Sequence, residues 1–426
     1  MRSLTSTQGP SVVNMPQSSD SCTFPIMANA DPMHTATTGP LEGVRIVELG
    51  IWVAAPAAAG ICADWGADVI KVEAPGGDPQ RSIFGAIGVR DQVGVPPFEV
   101  DNRGKRSVVL DLRSADGTAA MERLLGEADV FVTNLRTAAL RRLGLDHEAV
   151  LARHPALVYA SITGYGLEGP DADRPGYDVG AFYARSGVAD TIVPDGEYPP
   201  ILRSGFGDHV TGLSLVAGIT AKLFERTSTG TGGLVTTSLL RNGAYALAWD
   251  IGIQLRFGRR EETRDRHHSG APLVNCYHSA DGRGFWLLCV EADRHWPKLL
   301  AAIGRAELAD DERFDSARTR RRNSAALIEV LDAEFGRAPF DELTARFDEA
   351  DVWWSPINSI PDVIADPQAR AAGVFVDMVP GADGEPYEAV NSPVDFGGYE
   401  FTPGAVPALG ADEPRFRTPG ASGSPG

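Results

Sequence analysis

The sequence predicts an α/β protein with a doubly wound, Rossmann-like parallel sheet and a second, smaller α+β domain. Short runs rich in β-branched residues alternate with helical patterns from residue 44 to about residue 163, and glycines and prolines separate many of the segments. Alternation of this kind is typical of βαβ units, whose strands lie parallel in one sheet. A later hairpin pattern, followed by helices alone, indicates the second domain.

The first βαβ unit occupies residues 44–75. It consists of the strand "VRIVELG", the small-residue helix "AAPAAAGICADWG", which ends at Gly66, and the strand "ADVIKVEAP". The alternation then continues with the strand "RSVVLDL", the helix "GTAAMERLLGEA" and the strands "DVFVTNL" and "PALVYASIT". The spacing is that of parallel strands joined by helical crossovers, so these elements predict one sheet covered by helices.

The smaller domain is predicted to be an insertion in the larger one. The segment "NCYHSADGRGFWLLCVEA" has the pattern of a hairpin that turns at Asp281-Gly282, and helical stretches follow to about Glu349. We expect a flexible N-terminal extension (1–39), a discontinuous large domain (40–240 and 370–415), a linker (241–273), a small domain (274–369) and a flexible tail (416–426).

Composition excludes several classes of function. The chain has 426 residues, 39 Lys and Arg against 57 Asp and Glu, and a net charge of -18, which opposes binding to nucleic acid or to an anionic membrane. No apolar run is long enough for a membrane helix. The four cysteines have no zinc-like spacing, so we expect reduced thiols, no metal site and a cytoplasmic location.

One motif suggests dinucleotide binding but lacks the required context. Gly164-Tyr-Gly-Leu-Glu-Gly169 is a G-x-G-x-x-G directly after a strand. In the dinucleotide fingerprint a helix opens on these glycines, so that its N-terminus meets the pyrophosphate. Here Pro170 and Pro175 follow, and both oppose a helix. The motif therefore does not predict a nicotinamide cofactor.

The segment "GFGDHVTG" places Asp208 among glycines, just before the apolar run "LSLVAGITAKLF", which has the pattern of a buried helix. One interpretation is structural, because an aspartate before a helix can accept hydrogen bonds from the free N–H groups of the first turn. The other is functional, because glycines let the backbone approach a ligand closely. The residues alone leave both interpretations open.

Six blocks in order resemble the family III CoA-transferases (CaiB/BaiF type), a superfamily that includes formyl-CoA transferase and α-methylacyl-CoA racemase. They are "PLEGVRIVELG…GADVIKVEAPGGDPQR", "NRGKRSVVLDL", "DVFVTNLRTAALRRLGL", "ASITGYGLEGP…GYD", "FGDHVTG" and "DVWWSPINSIPDVIADPQ". The resemblance runs from about Pro40 to about residue 400. It implies an enzyme that moves CoA from an acyl-CoA donor to a carboxylic acid acceptor, with no permanently bound cofactor, and an interlocked homodimer.

The resemblance assigns the catalytic aspartate of the family to Asp208, which would attack the thioester to give an aspartyl-acyl mixed anhydride. It also implies catalytic roles for Tyr177, Asp178 and Glu291. The alternative is a racemase-like isomerase on the same fold, but the racemases have a histidine where this chain has Tyr177, and a phenol of ordinary pKa exchanges protons poorly at neutral pH. His209 is expected to be solvated or locally bonded rather than a substitute base.

The resemblance also implies a set of CoA contacts at the carboxyl ends of the strands, where ligands bind in such sheets. These are Trp52, Val53, Ala54, Lys105, Asn134, Leu135 and Arg142. Val53 stands where some family members have a glutamine, and the loop "RREETRDRHHSGAP" lacks the glycine run of the oxalate-specific transferases. His267 and His268 in that loop are expected to face solvent. A catalytically silent acyl-CoA-binding protein remains a third interpretation.

Overall fold

A parallel sheet of six strands forms the centre of the larger unit. The computed structural model describes residues 39–86, 88, 94–194, 196–259, 263–380 and 384–412. The strands follow the order β3-β2-β1-β4-β5-β6 and all pair in parallel. They are β1 (Arg45–Leu49), β2 (Asp68–Glu73), β3 (Arg106–Val109), β4 (Val130–Thr133), β5 (Val158–Thr163) and β6 (Gly233–Ser238). The predicted doubly wound sheet is confirmed, and β6 is a strand that the sequence patterns did not predict.

Helices cover both faces of this sheet, and each face has its own apolar core. The helices are α1 (Ala54–Asp64), α2 (Ile83–Ala86), α3 (Pro96–Asn102), α4 (Ala115–Glu127), α5 (Thr137–Leu143), α6 (His147–Arg153), α7 (Val188–Thr191), α8 (Phe206–Thr229), α9 (Leu239–Ala246) and α10 (Ala248–Phe257). A single 3₁₀ turn (Pro79–Ser82) and a π-helical turn (Val179–Ala184) lie between them. Helices α1 and α8 share one core with β1, β4 and β5.

The close packing of α1 against α8 follows from their small residues. Helix α1 is mostly alanine, and Gly212 of α8 lies against its first turns. A Cβ atom at Gly212 would lie 3.0 Å from the carbonyl oxygen of Ala54 and 3.2 Å from the backbone nitrogen of Ala58. The amino-terminal part of α8 is thereby held against the start of α1.

The smaller unit has a separate core, which confirms the predicted α+β second domain. Its sheet is antiparallel, with strands β7 (Cys276–His278), β8 (Gly284–Leu287) and β9 (Trp354–Pro356) in that order. The predicted hairpin turn lies between β7 and β8, and Gly282 adopts the φ of +79° that such a turn requires. Four helices complete this unit: α11 (Ala292–Ile303), α12 (Ala317–Arg322), α13 (Ser324–Phe335) and α14 (Phe340–Glu349).

The chain then returns to the large unit. It passes through α15 (Ile360–Ala365), α16 (Pro367–Ala371) and the antiparallel pair β10 (Phe375–Met378) and β11 (Tyr387–Val390). Beyond β11, Ser392 Oγ accepts a hydrogen bond from Trp65 Nε1 at 3.0 Å, and the Tyr399 hydroxyl donates to the Asp64 carbonyl at 2.7 Å. These contacts support the proposed discontinuous large domain. The predicted tail and residues 1–38 of the predicted extension lie outside the described residues.

The burial of α8 differs from the sequence prediction. The apolar run was expected to form a buried helix, but only one face of α8 is buried in this chain. Phe224 is 80% exposed and Val210 is 43% exposed. Helix α10 has no buried residue at all. The run places apolar side chains on both faces of α8, whereas the rest of this chain covers only one of these faces.

Candidate active site

The crevice at the carboxyl ends of β1 and β4 is the point where the strand order of the sheet reverses. Asn134 follows β4 and binds the loop after β1 with both ends of its amide. Its Oδ1 accepts from the Ile51 N–H at 3.0 Å, and its Nδ2 donates to the Ile51 carbonyl at 2.8 Å. A cleft of about 450 Å³ opens beside this pair, between Leu135, the residues after β1 to β3, and Arg113. Ligands of doubly wound sheets bind at such reversal points.

The loop between β1 and α1 has a strained conformation. Trp52 has a φ of +63°, which is uncommon for a residue with a side chain, and its N–H donates to Asp78 Oδ1 at 3.1 Å. Val53 occupies the N-cap position of α1, and the buried Ala54 begins the helix. Asp78 therefore holds the three predicted CoA contacts of this loop in one arrangement, a role the sequence patterns did not predict.

Lys105 lies below the cleft rather than in it. Its side chain is fully buried, and Nζ donates to Glu48 Oε2 at 2.6 Å, the Pro56 carbonyl at 2.9 Å and Asn102 Oδ1 at 3.0 Å. All three ammonium donors are therefore used inside the protein. In this arrangement Lys105 has no N–H left to donate to a phosphate, because the residues around its ammonium group form a buried hydrogen-bonded network.

The same network reaches the Trp52 loop through Lys71. Lys71 Nζ lies 2.8 Å from Glu48 Oε1 and 2.9 Å from Asp78 Oδ2, with all three side chains fully buried. Burial opposes the charge of Glu48, but the adjacent ammonium groups of Lys105 and Lys71 hold its pKa below the ordinary value. The buried charges thus connect α1, β1 and β2 beneath the cleft.

Arg142 is exposed beside the cleft. It lies exposed in the last turn of α5, next to Leu143, which lines the cleft. Within the described parts of the chain, it forms no hydrogen bond or ion pair. Arg113, at the carboxyl end of β3, also lines the cleft and pairs with Asp111 at 2.9 Å. The sequence analysis missed Arg113, although the position directly after "VVLDL" was the available signal.

Asp208 lies in the first turn of α8, but it does not cap the helix. The N-cap is Gly205, whose φ is +82°, and the helix begins at Phe206. The structural interpretation of Asp208 as a cap is therefore wrong: the helix starts two residues earlier, and no cap hydrogen bond forms. Gly207 is required by packing, since a Cβ atom there would lie 2.5 Å from Cγ of Phe182.

The Asp208 carboxyl is half-buried and forms no hydrogen bond or ion pair with the residues that the structure describes. Burial raises its pKa to about 7, and the negative charges of Asp178 and Asp101 act in the same direction, while His209 opposes them. A carboxylate without a partner in an apolar setting is a competent nucleophile when it is ionised. This electrostatic setting distinguishes Asp208 from the many paired carboxylates of the chain.

Asp178 lies close enough to Asp208 to affect its ionisation. It caps the π-helical turn, with Oδ1 accepting from the Val179 N–H at 2.7 Å, while the buried Oδ2 has no partner among the described residues. The adjacent Tyr177 is 61% exposed. The charge of Asp178 thus acts on Asp208, and Tyr177 is exposed at the surface.

His209 has a partner that the sequence did not predict. Its Nε2 lies 3.0 Å from Oδ1 of the buried Asp101 in α3, 108 positions away. This hydrogen bond raises the pKa of His209. The expectation of a solvated or locally bonded side chain was therefore incomplete, because half of the ring is exposed and the other contact is distant in sequence.

Comparison with known proteins identifies the family. The model of CoA-transferase family III matches residues 41–413. The chain belongs to that family. It is 34% identical over 367 residues to (R)-2-hydroxy-4-methylpentanoate CoA-transferase of Clostridioides difficile, with 85% of this chain and 91% of the relative covered.

Two further family relatives agree. The chain is 34% identical over 348 residues to cinnamoyl-CoA:phenyllactate CoA-transferase of Clostridium sporogenes, with 80% of this chain and 84% of the relative covered. A solved CaiB/BaiF family protein from Brucella suis matches with a TM-score of 0.77 and 33% identity over 88% of this chain and 97% of that one. This family III protein is therefore a CoA-transferase, as predicted, and the relatives do not favour the racemase alternative.

One predicted catalytic residue of this CoA-transferase, Glu291, belongs to the small unit. Glu291 is exposed on the small unit and pairs with Arg294 at 2.7 Å, which lowers its pKa; no contact joins it to Asp208 within this chain. Among the described residues, no cluster of three or more His, Cys, Asp or Glu side chains could hold a metal ion. In the same residues, no helix is both long and apolar enough to cross a bilayer.

Proposed function

We propose that this CoA-transferase acts through a covalent intermediate on Asp208. The observation that carries the proposal is the half-buried, unpaired carboxyl at the start of α8, with a pKa raised to about 7 and its helix packed against the start of α1. The carboxyl forms no ion pair with the described residues, and the opposing charge of His209 does not cancel the effects of burial, Asp178 and Asp101 on its pKa. Paired carboxylates, such as Asp64 with Arg103, are not free to form a new bond.

In the first half of the reaction, the Asp208 carboxylate oxygen attacks the thioester carbon of the donor. The carbon–sulfur bond breaks, CoA leaves as the thiolate, and an aspartyl-acyl mixed anhydride forms. The thiolate then attacks the Asp208 carbonyl of the anhydride, releasing the donor acid and leaving an aspartyl-CoA thioester. In the second half, the acceptor carboxylate displaces CoA from Asp208, and the thiolate attacks the new acyl group to give the product and free Asp208.

The residues around Asp208 hold it in place and set its charge. Gly205 and Gly207 allow the tight approach of the chain to His209 and Phe182, respectively. The negative charge of Asp178 helps to keep the pKa of Asp208 high, so Asp208 must lose its proton before it can attack the thioester. The charge on the leaving thiolate falls close to the N-terminal turn of α8, where a helix dipole favours negative charge.

We propose that CoA lies in the cleft at the carboxyl ends of β1 to β4. Trp52, Val53 and Ala54 directly follow Ile51 of the lining, Leu135 contributes apolar wall, and Arg142, next to Leu143 of the lining, would supply a guanidinium for phosphate. Asn134 positions the Ile51 loop instead of binding CoA, because both ends of its amide are occupied. Lys105 supports the floor through its buried network.

We propose a 2-hydroxy carboxylic acid as the acceptor class. Support comes from the names of the two relatives with 34% identity, which specify 2-hydroxy-4-methylpentanoate and phenyllactate, both 2-hydroxy acids. A relative with 33% identity from Agrobacterium fabrum is named for succinate and glutarate, so dicarboxylates form the comparison class.

We also propose that the active form is a homodimer. Helix α10 has no buried residue, and the chain exposes Trp249 (81%), Leu255 (82%) and Tyr245 (79%) near it. Apolar area of this extent is typical of an interface between subunits. A second copy would cover this surface and bring the small unit of one chain, with Glu291, towards the Asp208 of the other.

The experiment is a panel of acyl-CoA donors against free acids, with products identified by mass. Wild type should move CoA to 2-hydroxy acids faster than to succinate or glutarate, whereas Asp208→Ala and Asp208→Asn should be inactive. Asp116→Asn, on the exposed start of α4, is the matched control and should retain full activity. Retention of a tenth of the wild-type rate by Asp208→Ala would exclude the covalent route.

A further inference from the structure

A second cavity, far in sequence from Asp208, has an unusual lining. Its volume is about 420 Å³, and it lies where the chain enters the small unit and meets α12 and α13. Among the described residues of its lining, the ionisable side chains are all basic or imidazole: Arg264, His267, His268, Arg321 and Arg322. In a chain with a net charge of -18, a cavity with this composition is not explained by average surface charge.

Two of the arginines have no structural partner. Arg321 and Arg322, at the end of α12, are exposed and form no hydrogen bond or ion pair with the described residues. The preceding Arg320 differs, because it is buried and donates to the Phe314 carbonyl at 2.7 Å. The guanidinium groups at 321 and 322 therefore remain available for a ligand, and planar guanidinium forks bind phosphate oxygens in pairs.

The cavity also contains an unsatisfied hydroxyl at the start of a helix. Ser324, the first residue of α13, is 5% exposed, and its Oγ has no hydrogen-bond partner among the described residues. Its neighbour Asn323 does not cap α13, because the Asn323 amide donates to the Arg313 and Thr319 carbonyls. The first turn of α13 contains no acidic residue. A buried polar atom without a partner is costly, so this one points to a missing ligand.

The histidines complete the lining. His268 Nδ1 lies 2.6 Å from Asp265 Oδ2, which fixes the ring and leaves Nε2 without a partner within the chain as described. His267 is only partly exposed, whereas His268 is exposed as expected. The backbone between these histidines and α12 includes Gly270 at a φ of +69°, with the Arg321 side chain packed beside it.

We propose that this cavity binds a phosphate monoester. Such a group presents three oxygens in different directions and carries close to two negative charges, which matches a lining that combines two guanidinium forks, a hydroxyl donor and a helix N-terminus. A carboxylate has only two oxygens in one plane and would leave the hydroxyl or the helix end unsatisfied. The cavity belongs to the small unit, and none of its lining residues belongs to the Asp208 site of the large unit.

The test is calorimetric titration of the full chain with inorganic phosphate at low and moderate salt. Wild type should bind with an affinity that falls as salt rises. Arg321→Gln/Arg322→Gln should weaken binding at least about tenfold, because each lost charged hydrogen bond is worth more than 1 kcal/mol. Arg318→Gln is the matched control: Arg318 is exposed on the same helix, does not line the cavity, and should bind as wild type does.

Two further measurements identify which molecule supplies the phosphate group and test whether a loss of binding results from misfolding. If the 3′-phosphate of CoA is the ligand, CoA displaces phosphate and dephospho-CoA does not; if the ligand is another phosphate ester, neither displaces it. Ser324→Ala keeps all charges and should weaken binding several-fold, with an unchanged circular dichroism spectrum. Equal affinity in wild type, the double variant and Ser324→Ala, or no phosphate binding by wild type, would overturn the proposal.

Discussion

The raised pKa of Asp208 predicts a pH dependence that an ordinary aspartate would not give. If ionised Asp208 attacks the donor, the first half-reaction requires loss of its proton, so its rate should rise through about pH 7. The prediction is tested by varying the pH, both for the wild type and for Asp178→Asn. Asparagine still offers an oxygen to the Val179 N–H, so it removes the charge next to Asp208 while keeping the cap.

The magnitude follows from the ionised fraction. With a pKa of about 7, about a tenth of Asp208 is ionised at pH 6 and about nine tenths at pH 8, so the rate should change about tenfold between them. With an unperturbed pKa near 4, the change would be about one per cent. Asp178→Asn should move the acid limb to lower pH. A shift of one unit would raise the ionised fraction at pH 6 from about a tenth to about a half.

The assay is single-turnover release of CoA from an acyl-CoA donor, measured by thiol detection in a stopped-flow instrument from pH 5.5 to pH 8.5. Asp116→Asn should keep the wild-type profile. A flat wild-type profile between pH 6 and pH 8, or an Asp178→Asn profile that does not move, would refute the assignment of the raised pKa to a functional Asp208.

The same shift affects stability with a definite sign. Because the folded state favours protonated Asp208, this residue stabilises the fold most fully below its unfolded pKa near 4, and the contribution is lost as pH rises through about 7. The difference is at most about 4 kcal/mol for a shift of about three units. Asp208→Asn should therefore increase stability at pH 8 relative to wild type and reduce the pH dependence of urea unfolding in this range.

Three other predictions concern packing, the buried network and the racemase alternative. Gly212→Ala should lower the free energy of unfolding by about 1–3 kcal/mol, measured in urea, because its Cβ would meet the Ala54 carbonyl; Gly252→Ala, which has open space, should not. Lys105→Met should destabilise by about 3–5 kcal/mol, since Glu48 would lose a buried partner, whereas a loss below 1 kcal/mol would show that the network is dispensable. In heavy water, the enzyme should not wash deuterium into a 2-methylacyl-CoA at a catalytic rate, because Tyr177 is an exposed phenol; rapid wash-in without CoA transfer would favour the isomerase.

The sequence predicted the elements of the sheet because each strand and helix carries its own local pattern. The runs that became β1, α1 and β2 alternate at the period of a βαβ unit, which predicts parallel strands in one sheet. β6 was missed because "GLVTTS" is short and only partly apolar, and its pairing with β5 is what makes it a strand.

A site residue could be predicted where a local motif identifies it. A contact between two residues that lie far apart in the sequence could not. Asp208 followed from a resemblance in the local motif. The Asp101 partner of His209 and the Asp78 partner of Trp52 lie far away in the chain and have no sequence signal. Lys105 was expected at the phosphates because the family resemblance implied it, and only the folded arrangement shows that its ammonium group pairs with Glu48.

The most direct test of the central claim is a trap for the intermediate. Wild-type enzyme is incubated with an acyl-CoA donor and hydroxylamine, digested, and its peptides are read by mass spectrometry. The account predicts a hydroxamate on Asp208 that depends on the donor, is absent in Asp208→Asn and is unchanged in Asp116→Asn. Loss of activity without modification of Asp208, or a hydroxamate on another carboxylate such as Asp178 or Glu291, would contradict it.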